Sequence, residues 1–445
     1  MQRWMQLLLG LCMAWLAVAG CKGPKETPRP GDLLRLPQDL SSYVVPGTAE
    51  HPLVPQAQQS RMQEDFRRRF LAPWQPRWSK RSPKTLFDIG ARLLDAPLFG
   101  SNRIPIPPAL RRQWMSLCAV ETFPAADFPA IVVHPSDLRG LPTRQPAFYD
   151  PDLPGEGFPF DYLQYSALSA GTPVRVRHRS ADGCWLLVET EAMFGWLPAT
   201  DVVAIDAGLA DLYTTASWRV VLEDDVPLCD ESGAVLAIAG LGSVWPEAGQ
   251  DRLWVPLRGA DGQVILCQAR PAAGDVRSFP LAMTAAHVAL LGNRMLGKPY
   301  DWGGQFGDRD CSSTLRDLFA CFGLYLPRNS AAQAGSGVKV DLVPLAGEQR
   351  EAFIRDRAVP WLTLGYMPGH IMLYVGEFNG QPAFFHTMWG LKTRDRRGQE
   401  GRYPVGRTVI TGLRPGEELE ELMRPGGLLL ERLESLVLLA QMDEV

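Results

Sequence analysis

The chain has few histidines, six in 445 residues. His51, His134, His178 and His287 each stand isolated in their stretches, which leaves His370 and His386 as the pair from which a base and an orienting group are drawn. It has no excess of positive charge. The formal net charge is −4 and no basic cluster carries interleaved aromatics, so nucleic acid is excluded as a partner. It has no CxxC spacing among its eight cysteines, which argues against a zinc site, and no cofactor is expected. Its apolar amino-terminal stretch, Leu7 to Ala19, falls short of the roughly 20 residues a spanning helix needs.

What is present centres on Cys311. A glycine-punctuated loop, Tyr300-Asp301-Trp302-Gly303-Gly304-Gln305-Phe306-Gly307-Asp308-Arg309-Asp310, runs directly into it. Beyond it Leu315, Leu318, Phe319 and Phe322 recur at helical spacing. Asp310 suits the N-cap, which puts Cys311 in the first turn, where unpaired N–H groups and the helix dipole favour a thiolate. The same helix carries Cys321 about 15 Å away at 1.5 Å per residue, too far for a disulfide. Cys229 and Cys267 are a conceivable pair, but buried free thiols fit the remaining cysteines better.

His370 opens the strand-like run Ile371 to Gly376, and His386 closes Pro382 to Phe385, with the hairpin signal Asn379-Gly380 between them. A plain two-residue turn pairs position 386 with 373, on the opposite face from His370. For both histidines to share a face, the hairpin needs an odd loop or a bulge. A nucleophile facing two histidines then has its base and its orienting group. The plainer reading of His386 is a strand-end histidine bonded to a backbone carbonyl.

These residues resemble the NlpC family of papain-like cell-wall cysteine peptidases. The resemblance lies in Tyr300-x-Trp302-Gly303-Gly304, Asp310-Cys311-Ser312, His370-x-x-x-Tyr374-x-Gly376, the second histidine, and Pro327-Arg328-Asn329-Ser330-x-x-Gln333. Two departures are Ser313, where the family usually has glycine, and the oily Ile371-Met372-Leu373. The resemblance implies hydrolysis of the γ-D-glutamyl bond to a diamino acid in peptidoglycan stem peptides or muropeptide fragments. It gives Cys311 as nucleophile, His370 as base and His386 as orienting group. It also gives Tyr300, with the N–H of Cys311, as oxyanion donor, and Ser312 and Ser330 as substrate-binding residues. The substrate's carboxylates and amine call for basic and acidic groups in the cleft. Arg309 and Arg328 are candidates for the first and Asp310 for the second, although a solvated surface charge is the commoner fate of such arginines.

The fold class implied is α+β, with a papain-like domain over 276–445, its cysteine helix packed on an antiparallel sheet. Before it lie two SH3-like barrels, 150–205 and 206–275, read from short strands, turns and the ending Gly195-Trp196-Leu197-Pro198. Residues 51–149, with helical stretches around Gln63–Phe70 and Leu110–Ala119, resemble an N-terminal stabilising domain. In relatives of this build the first barrel borders the cleft, which makes Asp161 a candidate ligand for the stem peptide's amine. The tail, Leu428 to Leu439, reads as an amphipathic docking helix.

Residues 1–20 read as a secretory signal, and Leu16-Ala17-Val18-Ala19-Gly20-Cys21 resembles a bacterial lipobox. A lipid on Cys21 implies membrane-surface anchoring, with Lys22 favouring the outer membrane, and a proline-rich tether over 21–50. A simple signal peptide with Cys21 incidental is the alternative. The expected product is a monomeric periplasmic endopeptidase. A non-catalytic cell-wall scaffold is the reading from another class, and amidase or transpeptidase chemistry on the same triad is a lesser one.

Overall fold

The computed structural model describes residues 30–439 except 77, 79, 80 and 250. Cys21 and the signal stretch lie outside the described residues. No helix among the described residues is long and apolar enough to cross a membrane.

The segment expected to be a free tether is folded from Pro30 onward. A short helix α1 (Asp32–Arg35) and a 3-10 turn (Leu40–Tyr43) bury Leu33, Leu40 and Tyr43. Polar contacts fix the same segment to the carboxy-terminal domain. The Asn293 side chain accepts from Leu40 N–H at 2.8 Å, and Asp32 Oδ2 accepts from Gly412 N–H at 2.9 Å. The proline content that suggested a tether hides a Leu-x-x-Leu pattern long enough to dock. Next come α2 (Gln56–Phe70), α3 (Pro83–Asp95) and α4 (Pro108–Leu117). The second of these was not expected from the sequence; Ser82 caps it and Pro83 opens it.

The first barrel begins earlier than residue 150. Its seven-stranded antiparallel sheet takes in β1 (Phe128–Val132), β2 (Ser136–Arg139), β3 (Gln164–Leu168), β4 (Pro173–Arg179), β5 (Trp185–Glu189), β6 (Phe194–Pro198) and β7 (Val202–Ala204). Ala130, Ile131 and Val132 are fully buried, and β1 sits between β4 and β7, so the barrel cannot close without it. After α5 (Ala207–Thr215) a second β unit follows, with β8 (Trp218–Val221), β9 (Val226–Cys229), β10 (Val235–Ala239), β11 (Val244–Gly249), β12 (Arg252–Arg258), β13 (Val264–Ala269) and β14 (Val276–Ser278). It forms a five-stranded sheet and a separate β9–β10 hairpin around Trp245, Leu228 and Val255.

The last domain holds α6 (Ala285–Met295), α7 (Cys311–Ala320), α8 (Ser330–Gln333), β15 (Val338–Asp341), α9 (Gly347–Arg357), β16 (Thr363–Met367), β17 (His370–Phe378), β18 (Gln381–Arg394), β19 (Glu400–Thr411), α10 (Leu429–Arg432) and β20 (Ser435–Leu438). Its sheet order is β15-β20-β16-β17-β18-β19, antiparallel throughout. The oily start of β17 is explained by burial on both faces. Ile371 and Leu373 pack with Leu315, Leu318 and Phe319 of α7, while Met372 and Tyr374 pack with Leu429 and Leu430 of α10. The tail is not a docking helix. Only four residues are helical, and β20 inserts between β15 and β16, with Leu436 and Val437 buried on opposite sides. A short apolar run buried on both faces does not carry a period that tells strand from helix.

Arg309 locks the second β unit to α7. Its guanidinium donates to both carboxylate oxygens of Asp224, at 2.8 and 2.7 Å, and to Asp317 Oδ2 at 2.8 Å. It is a buried tie rather than a solvated or substrate-binding charge. Arg309→Met should cost about 3 kcal/mol in urea unfolding, because Asp224 is left desolvated without its partner. Adding Asp224→Leu should restore part of that loss.

Candidate active site

The loop before Cys311 is shaped by two glycines in the left-handed region, Gly303 (φ 70°) and Gly304 (φ 77°). A Cβ on Gly303 would stand 2.6 Å from Gln164 of β3, so the loop and the first barrel touch backbone to side chain. Asp301 Oδ2 draws the loop together by accepting from Phe306 and Asp308 N–H. Asp310 then caps α7 as expected. Its carboxylate accepts from Ser313 N–H at 2.9 Å, and Ser313 Oγ accepts from Asp310 N–H at 2.9 Å. Ser313, the departure from glycine, closes this capping box.

Asp310 is not free to meet a substrate amine. Arg328 donates to both its oxygens, at 3.1 and 2.7 Å, and reaches Ser166 of β3 through Nε at 2.8 Å. Burial works against the charged carboxyl, but Arg328 beside it holds it down at about 2. Ser312 is equally committed. Its hydroxyl lies 2.9 Å from Asp310 Oδ1 and 2.7 Å from the Arg328 carbonyl, and the side chain is buried. Ser330, half-buried, is the first residue of α8, behind the Asn329 cap. Asp161 is fully buried, paired with Arg139 at 2.7 Å and accepting from the N–H groups of Ala147 and Leu163. It braces the barrel loop and is not presented to a ligand.

The hairpin meets the condition that brings the histidines together. Its turn is the two-residue Asn379-Gly380, and a bulge between Tyr374 and Gly376 shifts the register, so that Leu373 pairs with Phe385. Position 386 therefore faces the same side as 370. His370 Nε2 lies 2.7 Å from His386 Nδ1, and His386 Nε2 lies 2.9 Å from Thr411 Oγ1. The Thr411 hydroxyl donates its one proton to the Gly412 carbonyl at 2.8 Å. It must then accept from His386 Nε2–H, which leaves Nδ1 of His386 to accept from His370 Nε2–H. This order leaves Nδ1 of His370 unprotonated. Thr411, which sets the order, carried no signal in the sequence.

Cys311 meets the start of β17 through the N–H of Ile371, directed at its sulfur. The helix end does not make it a thiolate. Burial, and then the charge of Asp310, push the thiol up to about 12 against Ile371 and Arg328. Burial and the charge of Arg432 push His370 down to about 3 against Asp310, and burial with His370 holds His386 well below the usual range. The resting pair is a neutral thiol and a neutral imidazole. Tyr300 keeps its proton too, since burial and then the charge of Asp310 raise it well above the usual phenol value.

Beside Tyr300 stands an aromatic wall built from both domains. Phe160 of the barrel loop contacts Tyr300, Trp302 and Trp389 at centroid distances of 6.2, 5.3 and 5.8 Å. Beneath it a run of buried hydroxyls ties α7 to the histidine strands: Thr314 Oγ1 lies 2.5 Å from Thr387 Oγ1, which lies 2.7 Å from Thr408 Oγ1. Among the described residues no group of His, Cys, Asp and Glu is placed to hold a metal. The six described cysteines are free, with Cys118, Cys311 and Cys321 buried.

The buried histidines make stability depend on pH. Unfolded, both take protons below their ordinary value of 6.5; folded, they refuse them. Stability is therefore full above that value and falls as pH drops towards 3. Urea midpoints between pH 7.5 and 4.5 should show this slope, and His386→Gln should reduce it by about one proton.

Three family models match the chain. They are the NLPC_P60 stabilising domain over 8–123, an SH3 domain of the SH3b1 type over 146–198, and the NlpC/P60 family over 297–403. The fold is similar to that of an NlpC/P60 endopeptidase from Photobacterium damselae subsp. piscicida, at 24% identity and a TM-score of 0.85, covering 93% of this chain and 98% of that one. An NlpC/P60 family protein from Bacillus cereus matches at 16% identity and a TM-score of 0.45, covering 69% of this chain and 98% of that one. No curated protein matches by sequence. Residues 297–403, which hold the capped cysteine helix and the histidine hairpin, match the NlpC/P60 family, behind a matched stabilising domain and a matched SH3 domain.

Proposed function

We propose that this chain is a cysteine endopeptidase that hydrolyses the γ-D-glutamyl–diamino acid bond of peptidoglycan stem peptides or muropeptide fragments. The observation that carries this reading is the ordered run His370–His386–Thr411 beside a cysteine at a helix N-terminus. A scaffold has no need of a wired imidazole.

The chemistry begins from neutral partners. As the substrate carbonyl docks, Nδ1 of His370 takes the Cys311 proton while sulfur attacks carbon. His386 accepts the hydrogen bond from His370 and steadies the imidazolium as it forms. The oxyanion is met by the N–H of Cys311, which has no partner inside the first turn, and by the Tyr300 hydroxyl. His370 then gives its proton to the leaving amine, and water hydrolyses the thioester by the same base. The aromatic wall of Phe160, Tyr300 and Trp389 supports a cleft shared with the first barrel. The signal and lipobox residues support a periplasmic enzyme anchored through a lipid on Cys21, with the outer membrane favoured by Lys22.

Mass spectrometry of L-Ala-γ-D-Glu-diaminopimelate incubated with wild type and Cys311→Ala tests the reaction. Cleavage after D-glutamate by wild type alone is expected. Tight binding by both proteins with cleavage by neither would leave the scaffold. Thr411→Val keeps the side-chain shape but strands His386 Nε2–H, and should lower kcat/KM about ten- to a hundredfold. Thr411→Ser, which keeps the hydroxyl, should recover most of that rate; a purely steric role would not separate the two variants.

A further inference from the structure

The substrate's carboxylates need cations, yet the arginines nearest the cysteine are engaged within the fold. Arg328 is bound to Asp310, Arg309 to Asp224 and Asp317, and Arg139 to Asp161. Of the cations without an ion pair among the described residues, Lys392, Arg402 and Arg432 act on one another electrostatically. Lys392 on β18 and Arg402 on β19 are direct partners in the sheet register. A like-charge pair opposed in this way destabilises the hairpin unless an anion lies between them. The nearest acid acting on Lys392 is Glu400, and it is paired with Arg394 at 3.2 Å.

Arg432 ends α10. Two residues later Glu434 N–H donates to the Tyr366 carbonyl at 2.9 Å, and Tyr366 is followed by Met367, the register partner of His370. The end of α10 thus lies at the same end of the sheet as the catalytic-base candidate. Electrostatics agree, since Arg432 lowers the proton affinity of both His370 and Lys392, and Arg402 lowers that of Lys392 and Arg432. Arg402 also reaches the first barrel, with its guanidinium 3.0 Å from where a Cβ on Gly155 would stand. The cluster therefore borders the gap between the barrel loop and the β18–β19 hairpin, next to His370.

We propose that Lys392, Arg402 and Arg432 form a carboxylate-binding subsite for the leaving half of the substrate. The inference rests on the endopeptidase reading, in which His370 protonates the leaving amine. In a diamino acid the α-carboxylate is two bonds from that nitrogen, so a cation beside His370 is placed to meet it. A guanidinium there supplies paired donors to a planar carboxylate.

The test is steady-state kinetics of the full chain, wild type and Arg432→Gln, on three peptides. One carries free carboxylates, one is amidated at the diamino acid α-carboxyl, and one is amidated at the D-glutamate α-carboxyl. Wild type should lose about tenfold or more in kcat/KM when the leaving half is amidated. Arg432→Gln should lose a similar factor on the free peptide and little further on the amide. Amidation at D-glutamate should slow both proteins alike. Equal slowing of all peptides by the substitution, or no discrimination by wild type, overturns the subsite. If D-glutamate amidation erases the Arg432 effect, the cluster serves the acyl half and the assignment fails. Lys392→Gln is the second variant should Arg432→Gln not fold. If wild type cleaves nothing, the endopeptidase reading fails separately. Calorimetry of diaminopimelate against its amide, on Cys311→Ala with and without Arg432→Gln, then decides the subsite. Tighter binding of the acid that depends on Arg432 upholds it, and equal binding overturns it.

Discussion

The Asp310–Arg328 pair is the constraint on which the site depends. One carboxylate caps α7, accepts from the Gly303 N–H of the preceding loop and takes both arms of a guanidinium that continues to Ser166 of the first barrel. Removing two charges from water is unfavourable, and such a pair persists only where its remaining hydrogen bonds are filled. Here they are filled by elements of two domains. The same carboxylate stands next to Cys311 and raises its thiol. Position is thus gained at the expense of acidity.

The second half of the site is set by strand register. A single bulge on β17 decides whether His386 joins His370 or points through the sheet. The relay then ends at Thr411, whose neighbour Gly412 is held by Asp32. A residue nearly four hundred positions upstream therefore steadies the far end of this hydrogen-bonded run.

The sequence was most readable where chemistry is local. The cap, the cysteine and the helical face lie within a dozen residues, and the hairpin announces itself through Asn379-Gly380. Contacts between distant segments were not readable. Arg309 and Arg328 look like surface charges until Asp224 and Asp310 fold against them, and Asp161 looks available until Arg139 closes on it. Thr411 is one threonine in a threonine-containing strand. The tail misled because Leu436 and Val437 are buried on opposite faces of the sheet, which removes the alternation that marks a strand.

The docking of residues 32–43 also sets a length of leash. Only eight residues separate Cys21 from Pro30, and the nine steps between them reach at most about 30 Å. A chain held by a lipid at Cys21 would keep the segment docked at Gly412 within about 4 nm of the bilayer. Such an enzyme would work on peptide strands or fragments that come to the membrane face, and would not range across the wall.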